Sequence, residues 1–237
     1  MAQSYFIWNG KDCRGMGITM RAPAAIIRPE ERVEHVQIPG RSGDVTETEG
    51  ENIYNSYIQT VSISVIGGRR VRDVYRWLRG AGYVTFSGEP DKQQKARVIG
   101  AITLNRISRN MDRWAGEVQF YCQPLKEKMT SRVDTITSSG STIRNNGDVD
   151  EKPLIRVTAS GAIALITIGG VSISLTGLTS GTKYWIDCDT MECWNDAKTS
   201  LLTQNSIGDY PVMKPGDNTV TGTGWSQLEF TRRERFL

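Results

Sequence analysis

Histidine, cysteine and long apolar runs are scarce in this 237-residue sequence, and each scarcity narrows what the protein can do. The single histidine, His35, excludes a His-rich metal site, and no Gly-x-Ser-x-Gly segment accompanies it to form a hydrolase triad. The four cysteines are irregularly spaced, so free thiols are expected in a cytoplasmic protein. No apolar run reaches the ~20 residues of a membrane-spanning helix, since Gly169-Gly170 interrupts the longest one.

The N-terminal residues Met1–Tyr5 have neither the charged nor the apolar segment of a secretory signal. We therefore expect the protein to be made and folded in the cytoplasm, without membrane insertion. The scarcity of His and Cys also predicts no metal and no cofactor.

Opposite charges are concentrated in two separate blocks, although the net charge is only +3. The small net charge predicts no nucleic acid as a specific ligand. Between residues 30 and 51 there are seven acids against two arginines: Glu30, Glu31, Glu34, Asp44, Glu47, Glu49 and Glu51 against Arg32 and Arg41. Between residues 69 and 79 there are five arginines against one acid: Arg69, Arg70, Arg72, Arg76 and Arg79 against Asp73. The two blocks predict attraction within a subunit or between subunits.

The residues that are abundant favour short strands joined by tight turns, with glycine at 24 positions. Asn9-Gly10 predicts a hairpin turn because both positions tolerate positive φ. Val33–Ile38 alternates loosely and is followed by a predicted loop, Arg41–Asp44. Tyr57–Ile66 alternates more regularly, which predicts a strand with one apolar face.

One segment has helical periodicity. Val71, Val74, Tyr75 and Leu78 recur at helical spacing and predict a helix over Arg69–Gly80. After it, Ala96–Arg106 is predicted as a strand, and a further strand over Trp114–Cys122 is predicted to end at Pro124.

The second half predicts a β-sandwich. Apolar density falls over residues 125–152, so we place a domain boundary there and divide the chain into residues 1–130 and 131–237. Ile163–Ile168 and Val171–Thr176 flank Gly169-Gly170, which predicts a hairpin. Lys183–Asp187 and Glu192–Trp194 predict another pair, and the regular spacing of short strands favours a sandwich.

Few residues in this half point to catalysis or ligand binding. Cys188 and Cys193 have the spacing of half a zinc site, but a second ligand pair is missing, so a hairpin end with two incidental thiols is favoured. Trp185, Trp194 and Trp225 are predicted to pack in the core, and sugar binding through exposed tryptophans remains the alternative. A hydrolase is disfavoured, although a glycosidase needs only two carboxylates.

Taken in order along nearly the whole chain, a set of segments resembles the distal tail (Dit) proteins of long-tailed, non-contractile bacteriophages. The segments are Ile7–Asp12, Gly17-Ile18, Val36–Asp44, the strand and helix ending at Trp77-Leu78, Phe86–Asp91, Phe120–Pro124, Gly147-Asp148, Lys152-Pro153, Asp187–Trp194 and Asp209–Asn218. Each segment alone is weak, and it is their order that makes the resemblance specific.

The resemblance implies a mainly β protein with one α-helix. It implies an N-terminal split-barrel-like domain with an extended belt arm, residues 1–130, and a C-terminal galectin-like β-sandwich, residues 131–237. It also implies a non-enzymatic virion subunit, assembled in the host cytoplasm, that forms a homohexameric ring at the tail tip. The implied partners are the tail tube protein, the end of the tape-measure protein, and tail-associated lysin or tail fibre and receptor-binding proteins.

Two physical features favour a ring independently of the resemblance. The Pro and Gly residues around position 40 predict a stiff arm that ends in a sharp turn. The acidic arm and the arginine helix suit a head-to-tail contact, which closes into a ring when the rotation allows. The predicted ring interface comprises Ile38, Pro39, Gly40, Arg41, Ser42, Gly43, Asp44, Arg69, Arg72 and Arg76. The alternative function is a carbohydrate-binding adhesion module that acts through the C-terminal sandwich.

Overall fold

The computed structural model describes residues 3–48, 50 and 52–237, so the predicted arm acids Glu49 and Glu51 lie outside the described residues. The chain divides into two compact units, Met1–Met129 with Leu237, and Thr130–Phe236. The first unit contains β1 (Phe6–Trp8), β2 (Lys11–Asp12), a 3-10 turn (Cys13–Met16), β3 (Ile18–Met20), β4 (Val33–Gln37), β5 (Asp44–Thr48), β6 (Tyr57–Ile66), α1 (Gly68–Trp77), β7 (Ala81–Phe86), β8 (Lys92–Ile99), β9 (Leu104–Ser108) and β10 (Arg113–Lys128).

The first unit is built on one antiparallel sheet with the order β2-β1-β7-β8-β10-β6-β3, and β9 also pairs with β10. Its core is aromatic: Phe6 and Trp8 contact Phe120 at ring-centroid distances of 5.5 and 5.4 Å. Helix α1 covers this core, where Trp77 stacks on Phe6 at 5.7 Å.

Short-range patterns in this unit form as predicted. Asn9 and Gly10 both have positive φ, 50° and 76°, and join β1 to β2. Strand β6 has the predicted bounds, with Val61, Ile63 and Val65 buried. This agreement arises because β6 alternates one apolar face towards the core with one outer face.

The helix is shorter than predicted. It ends at Trp77 rather than Gly80, because Leu78 leaves the helical region (φ −82°, ψ 71°). Gly80 is left-handed (φ 76°), and Ala81 already begins β7. Val74 and Leu78 are buried as expected, whereas Tyr75 is 39% exposed. The apolar stripe of α1 is therefore narrower than its sequence indicates.

Two strand predictions were wrong in their bounds. The Ala96–Arg106 segment is divided, because Gly100 (φ 69°) ends the extended run that becomes β8. Strands β8 and β9 pair with different stretches of β10. Pro124 does not end β10, since the register shifts between Cys122 and Lys126. A bulge of this kind takes proline out of the ladder, so its missing N–H leaves no hydrogen bond unmade.

The second unit contains β11 (Val133–Ile136), β12 (Ser141–Asn145), β13 (Leu154–Ala159), β14 (Ile163–Ile168), β15 (Val171–Thr176), β16 (Lys183–Asp187), β17 (Glu192–Asn195), a 3-10 turn (Thr203–Asn205), β18 (Ser206–Gly208), β19 (Gly216–Thr223), β20 (Trp225–Thr231) and β21 (Arg235–Phe236). Two five-stranded sheets form the sandwich, with the orders β11-β20-β13-β16-β17 and β12-β19-β14-β15-β18. The predicted hairpins β14–β15 and β16–β17 are confirmed.

The stretch of low apolar density at 125–152 is not all linker, because it contains β11 and β12. Each lies at the edge of a sheet, and each buries only alternate side chains, including Ile136 and Ile143. An edge strand with one solvent-exposed face needs few apolar residues. This explains why low apolar density was interpreted as a domain boundary and neither strand was predicted. Among the described residues α1 is the single α-helix, so the predicted class, mainly β with one helix, is confirmed.

Candidate assembly interface

The predicted arm is a β-hairpin, β4–β5, which forms a two-stranded sheet separate from the core sheet. Its turn contains Gly40 and Gly43, both left-handed at φ 82° and 83°, and the Arg41 N–H donates to the Ile38 carbonyl at 3.2 Å. Strand β4 ends at Gln37, and Asp44 is the first residue of β5 rather than part of the loop. Glycine suits both turn positions because it has no Cβ to oppose positive φ.

The arm has almost no buried surface of its own. Apart from the half-buried Val33 and Val45, its side chains are exposed over residues 33–48. Val36 is 36% and Ile38 is 44% exposed. An isolated two-stranded hairpin is only marginally stable in water. The exposed side chains of this hairpin are available for contact with a partner that would stabilise it.

The arginine face of α1 is also exposed. Arg76 forms an exposed ion pair with Asp73 at 3.6 Å. Arg69 and Arg72 are exposed and form no ion pair with any other described residue. Among the described residues of one chain, no hydrogen bond or ion pair joins the arm tip, residues 38–44, to Arg69, Arg72 or Arg76. The predicted interface residues therefore lie on two separate surfaces.

The N-terminus of α1 is already occupied by a carboxylate. The Gly68 N–H donates to Asp112 Oδ2 at 2.5 Å, and the Trp114 indole donates to Oδ1 at 3.1 Å. These hydrogen bonds, with Arg106 at 3.1 Å, hold the pKa of Asp112 below its usual range. The preference of a helix N-terminus for an anion is thus met within the chain, which leaves no open phosphate site there.

Exposed apolar side chains lie beside this helix start and were missed in the sequence. Ile66 is 48%, Ile107 is 52% and Met111 is 64% exposed. The sequence contained one indication of this exposure. Ile66 falls at the alternate positions of β6 that the polar residues occupy, so the alternation places it on the outer face. Ile107 and Met111 had no comparable signal, because the turn between β9 and β10 was not predicted.

The tryptophans of the sandwich do not form an open platform. Trp225 is buried, and its indole N–H donates to the Leu165 carbonyl at 3.2 Å. Trp185 is half-buried beneath cations, with the Arg156 guanidinium 5.1 Å and the Lys198 ammonium 4.4 Å from its ring centre. Trp194 is the cross-strand partner of Trp185. The core prediction holds for Trp225 and fails for the other two, which pack on an outer face.

The cysteines are buried, and the acidic turn beside two of them is held by an ion pair. All four cysteines are free and buried, and burial raises the pKa of Cys122 and Cys188 to about 12. Asp187 pairs with Arg233 at 2.6 Å. Among the described residues no group of three His, Cys, Asp or Glu side chains is placed to hold a metal ion. The predicted hairpin end is confirmed, because Asp187 and Glu192 close the β16–β17 ladder.

Solved structures of phage proteins have a fold similar to that of this chain. No known protein family matches the sequence, and no curated protein matches it. The Dit (gp 19.1) protein of SPP1, described as a paradigm of the hub adsorption apparatus in phages that infect Gram-positive bacteria, matches with a TM-score of 0.81 and 18% identity over 100% of both chains. A chain of the phage P2 baseplate, in its activated conformation with Ca, matches with a TM-score of 0.50 and 9% identity over 99% of this chain and 98% of that chain.

These likenesses establish the fold and confirm the resemblance to Dit proteins at that level. Among the described residues no helix is long and apolar enough to cross a membrane.

Proposed function

We propose that this protein is a structural, non-catalytic subunit of a phage tail tip. It forms a hexameric ring that joins the tail tube to baseplate or tail fibre proteins. The match of the whole chain to a hub adsorption protein, with a TM-score of 0.81, carries the proposal. The order of the sequence segments that resemble Dit proteins supports it independently.

The proposed partners follow from this position in the virion. The ring contacts further copies of this chain, the tail tube protein and the end of the tape-measure protein on one side. On the other side it contacts tail-associated lysin or receptor-binding proteins. The first domain, residues 1–130, forms the ring, and the sandwich, residues 131–237, is the second domain.

The arm and α1 are the proposed ring contacts. Residues 38–44 form an exposed tip, and Arg69, Arg72 and Arg76 form an exposed cationic helix face. A head-to-tail contact places two different surfaces of the subunit against each other, and such contacts close into rings. The acidic arm therefore packs near the α1 helix of the next subunit.

The native mass of the purified full-length protein tests the ring. We expect a species of six times the monomer mass in native mass spectrometry at high protein concentration. A protein that stays monomeric and is retained on cell-wall polysaccharide would support the carbohydrate-binding alternative instead. That alternative has less support, because cations already lie over the ring of Trp185.

Charge reversal on the helix tests the contact. Arg72→Glu with Arg76→Glu should lower the fraction of assembled protein at low salt, since it places acids opposite an acidic arm. Sedimentation velocity at low and high salt measures this fraction. Arg144→Glu with Lys198→Glu, at two exposed positions of the second unit, changes the net charge equally and should leave assembly unchanged. Unaltered assembly of the double variant at both salt concentrations contradicts the arm–helix contact.

A further inference from the structure

The register of the arm gives it two chemically different faces. In β4–β5, Glu34 is paired with Glu47, and Val36 with Val45. Directly paired residues of an antiparallel ladder lie on the same face, and residues two apart share it. These four side chains form what we call the Glu34 face, an apolar pair next to a pair of carboxylates. The opposite face carries His35, Gln37, Asp44 and Thr46.

The Glu34 face is unfavourable for an arm that remains alone. Two carboxylates directly across a ladder repel each other and destabilise the pairing. Neither Glu34 nor Glu47 forms an ion pair with another described residue, and Val36 is 36% exposed. A partner that brings cations beside an apolar surface would relieve both unfavourable features.

A surface with that composition exists on the same chain. Ile66 is paired with Arg113 in the β6–β10 ladder, and Ala115, two residues after Arg113, is paired with Asn105. Because residues two apart share a face, Ile107 lies on the face of Ile66. The register shift places Ser108 opposite Arg113. The Met111 N–H donates to Ser108 Oγ at 3.3 Å, so the third apolar side chain belongs to the same turn. We call Ile66, Ile107 and Met111, with exposures of 48%, 52% and 64%, the turn patch.

Cations flank the turn patch. The Gly67 N–H donates to the Asp112 carbonyl at 2.9 Å, which fixes the start of α1, and hence Arg69, against the turn that carries Arg109. The nearby Asp112 carboxylate is already bonded to Gly68, Trp114 and Arg106. Neither Arg69 nor Arg109 has an ion-pair partner among the described residues.

We propose that the Glu34 face of the arm docks on the turn patch of a second copy of this chain. Val36 and Val45 pack against the three apolar side chains, while Glu34 and Glu47 face Arg69 and Arg109. Charge complementarity identifies the occupant, because the acidic-apolar surface and the basic-apolar surface occur on one sequence. The proposal rests on the ring of the proposed function and assigns the surfaces that form it.

A disulfide trap tests the contact in the full-length protein. In the variant Val36→Cys with Ile107→Cys, mild oxidation should give a ladder of covalent oligomers on a non-reducing gel. The four native cysteines are buried and do not compete. The control variant, Gln37→Cys with Ile107→Cys, places the thiol on the opposite face of the arm and should give no ladder.

A charge-matched pair of variants tests the carboxylates. Glu34→Gln with Glu47→Gln raises the net charge by two and should weaken association by about tenfold at low salt. Gln37→Lys with Thr46→Lys raises the net charge equally, on the other face, and should leave the dissociation constant within about threefold. Sedimentation equilibrium measures both.

The possible outcomes separate this proposal from the ring itself. Rings that form in the wild type while the Val36–Ile107 variant gives no ladder overturn the docking surfaces and leave the ring standing. Equal weakening by both charge variants also overturns them, since bulk charge would then explain the effect. A wild type that never associates, at any concentration and with no ladder in the trap, contradicts the ring and the docking together.

Discussion

Arg232 is a buried cation that pairs with three carboxylates of the second unit. Its side chain is 2% exposed and bonds to Glu151 at 2.6 Å and Asp134 at 2.8 Å, with Glu234 at 3.5 Å. Replacing it with methionine leaves buried carboxylates without their cation. We expect Arg232→Met to lower the free energy of unfolding of this unit by about 3–5 kcal/mol, measured by urea unfolding with tryptophan fluorescence.

The matched control is Arg144→Met, which removes an arginine from an exposed pair with Asp217 at 3.5 Å. Surface pairs contribute little, so the control should lower stability by less than about 1 kcal/mol. Similar losses in the two variants would mean that the buried network contributes no more than a surface pair.

Asp187 gives the second unit a defined dependence on pH. Burial raises the pKa of this carboxyl, but hydrogen bonds from Arg233 outweigh burial and hold the pKa below its ordinary value. A carboxyl with a lowered folded-state pKa contributes stability above its unfolded-state pKa, and this contribution is lost as pH falls through the folded-state pKa. The stability difference between wild type and Arg233→Gln should therefore be constant above about pH 5 and shrink below about pH 4. Urea unfolding across this range measures it, and a difference that grows on acidification would refute the pairing.

At the scale of elements, the close approach of β9 to β10 depends on a glycine. A Cβ at Gly116 would overlap the backbone carbonyl oxygen of Thr103, which cannot rotate away. Gly116→Ala should therefore lower the free energy of unfolding of the first unit by about 1–3 kcal/mol in thermal or urea unfolding. Gly15→Ala, where a Cβ would meet no atom within 4 Å, is the control and should have little effect. A tolerated Gly116→Ala would show that the strands can separate freely.

The same elements show how far the sequence predicts this fold. Asn9-Gly10, β6 and the β14–β15 hairpin follow from local φ preference and alternation, which act within a few residues. The continuation of β10 past Pro124 does not follow from local preferences. It depends on a bulge that is set by the pairing of β10 with β8, which is distant in the sequence. The acidic charge of the arm is likewise visible in the sequence, whereas the pairing of Glu34 with Glu47 depends on the register of β4 against β5.

The turn patch was less predictable than the arm. Its three apolar residues come from β6 and from the turn between β9 and β10, and only the β6–β10–β9 pairing brings them together. Charge blocks are visible along a sequence, but a surface assembled from separate strands is not. This explains why the arginines of α1 were predicted as interface residues and Ile107 and Met111 were not.

At the scale of the whole molecule, a head-to-tail ring requires that each subunit gives one arm and receives another. Two defective subunits test this requirement. The first replaces residues 34–47 with a Gly/Ser linker and keeps the turn patch. The second carries Ile107→Asp with Arg109→Glu and keeps the arm. Each should remain monomeric alone, because one half of every contact is missing.

Mixed together, the two variants can form one contact only, the arm of the second on the turn patch of the first. We therefore expect a one-to-one heterodimer in native mass spectrometry and nothing larger. Near-ultraviolet circular dichroism of each variant should match that of the wild type, because the replaced segment contains no Phe, Tyr or Trp and both substituted side chains lie outside the buried cores. If two subunits instead exchanged arms reciprocally, the wild type would form a dimer with two arm–patch contacts. The mixture of variants would then form a dimer with only one of these contacts. A mixture that stays monomeric contradicts the arm–patch contact, whereas a wild type that stops at a dimer contradicts the ring.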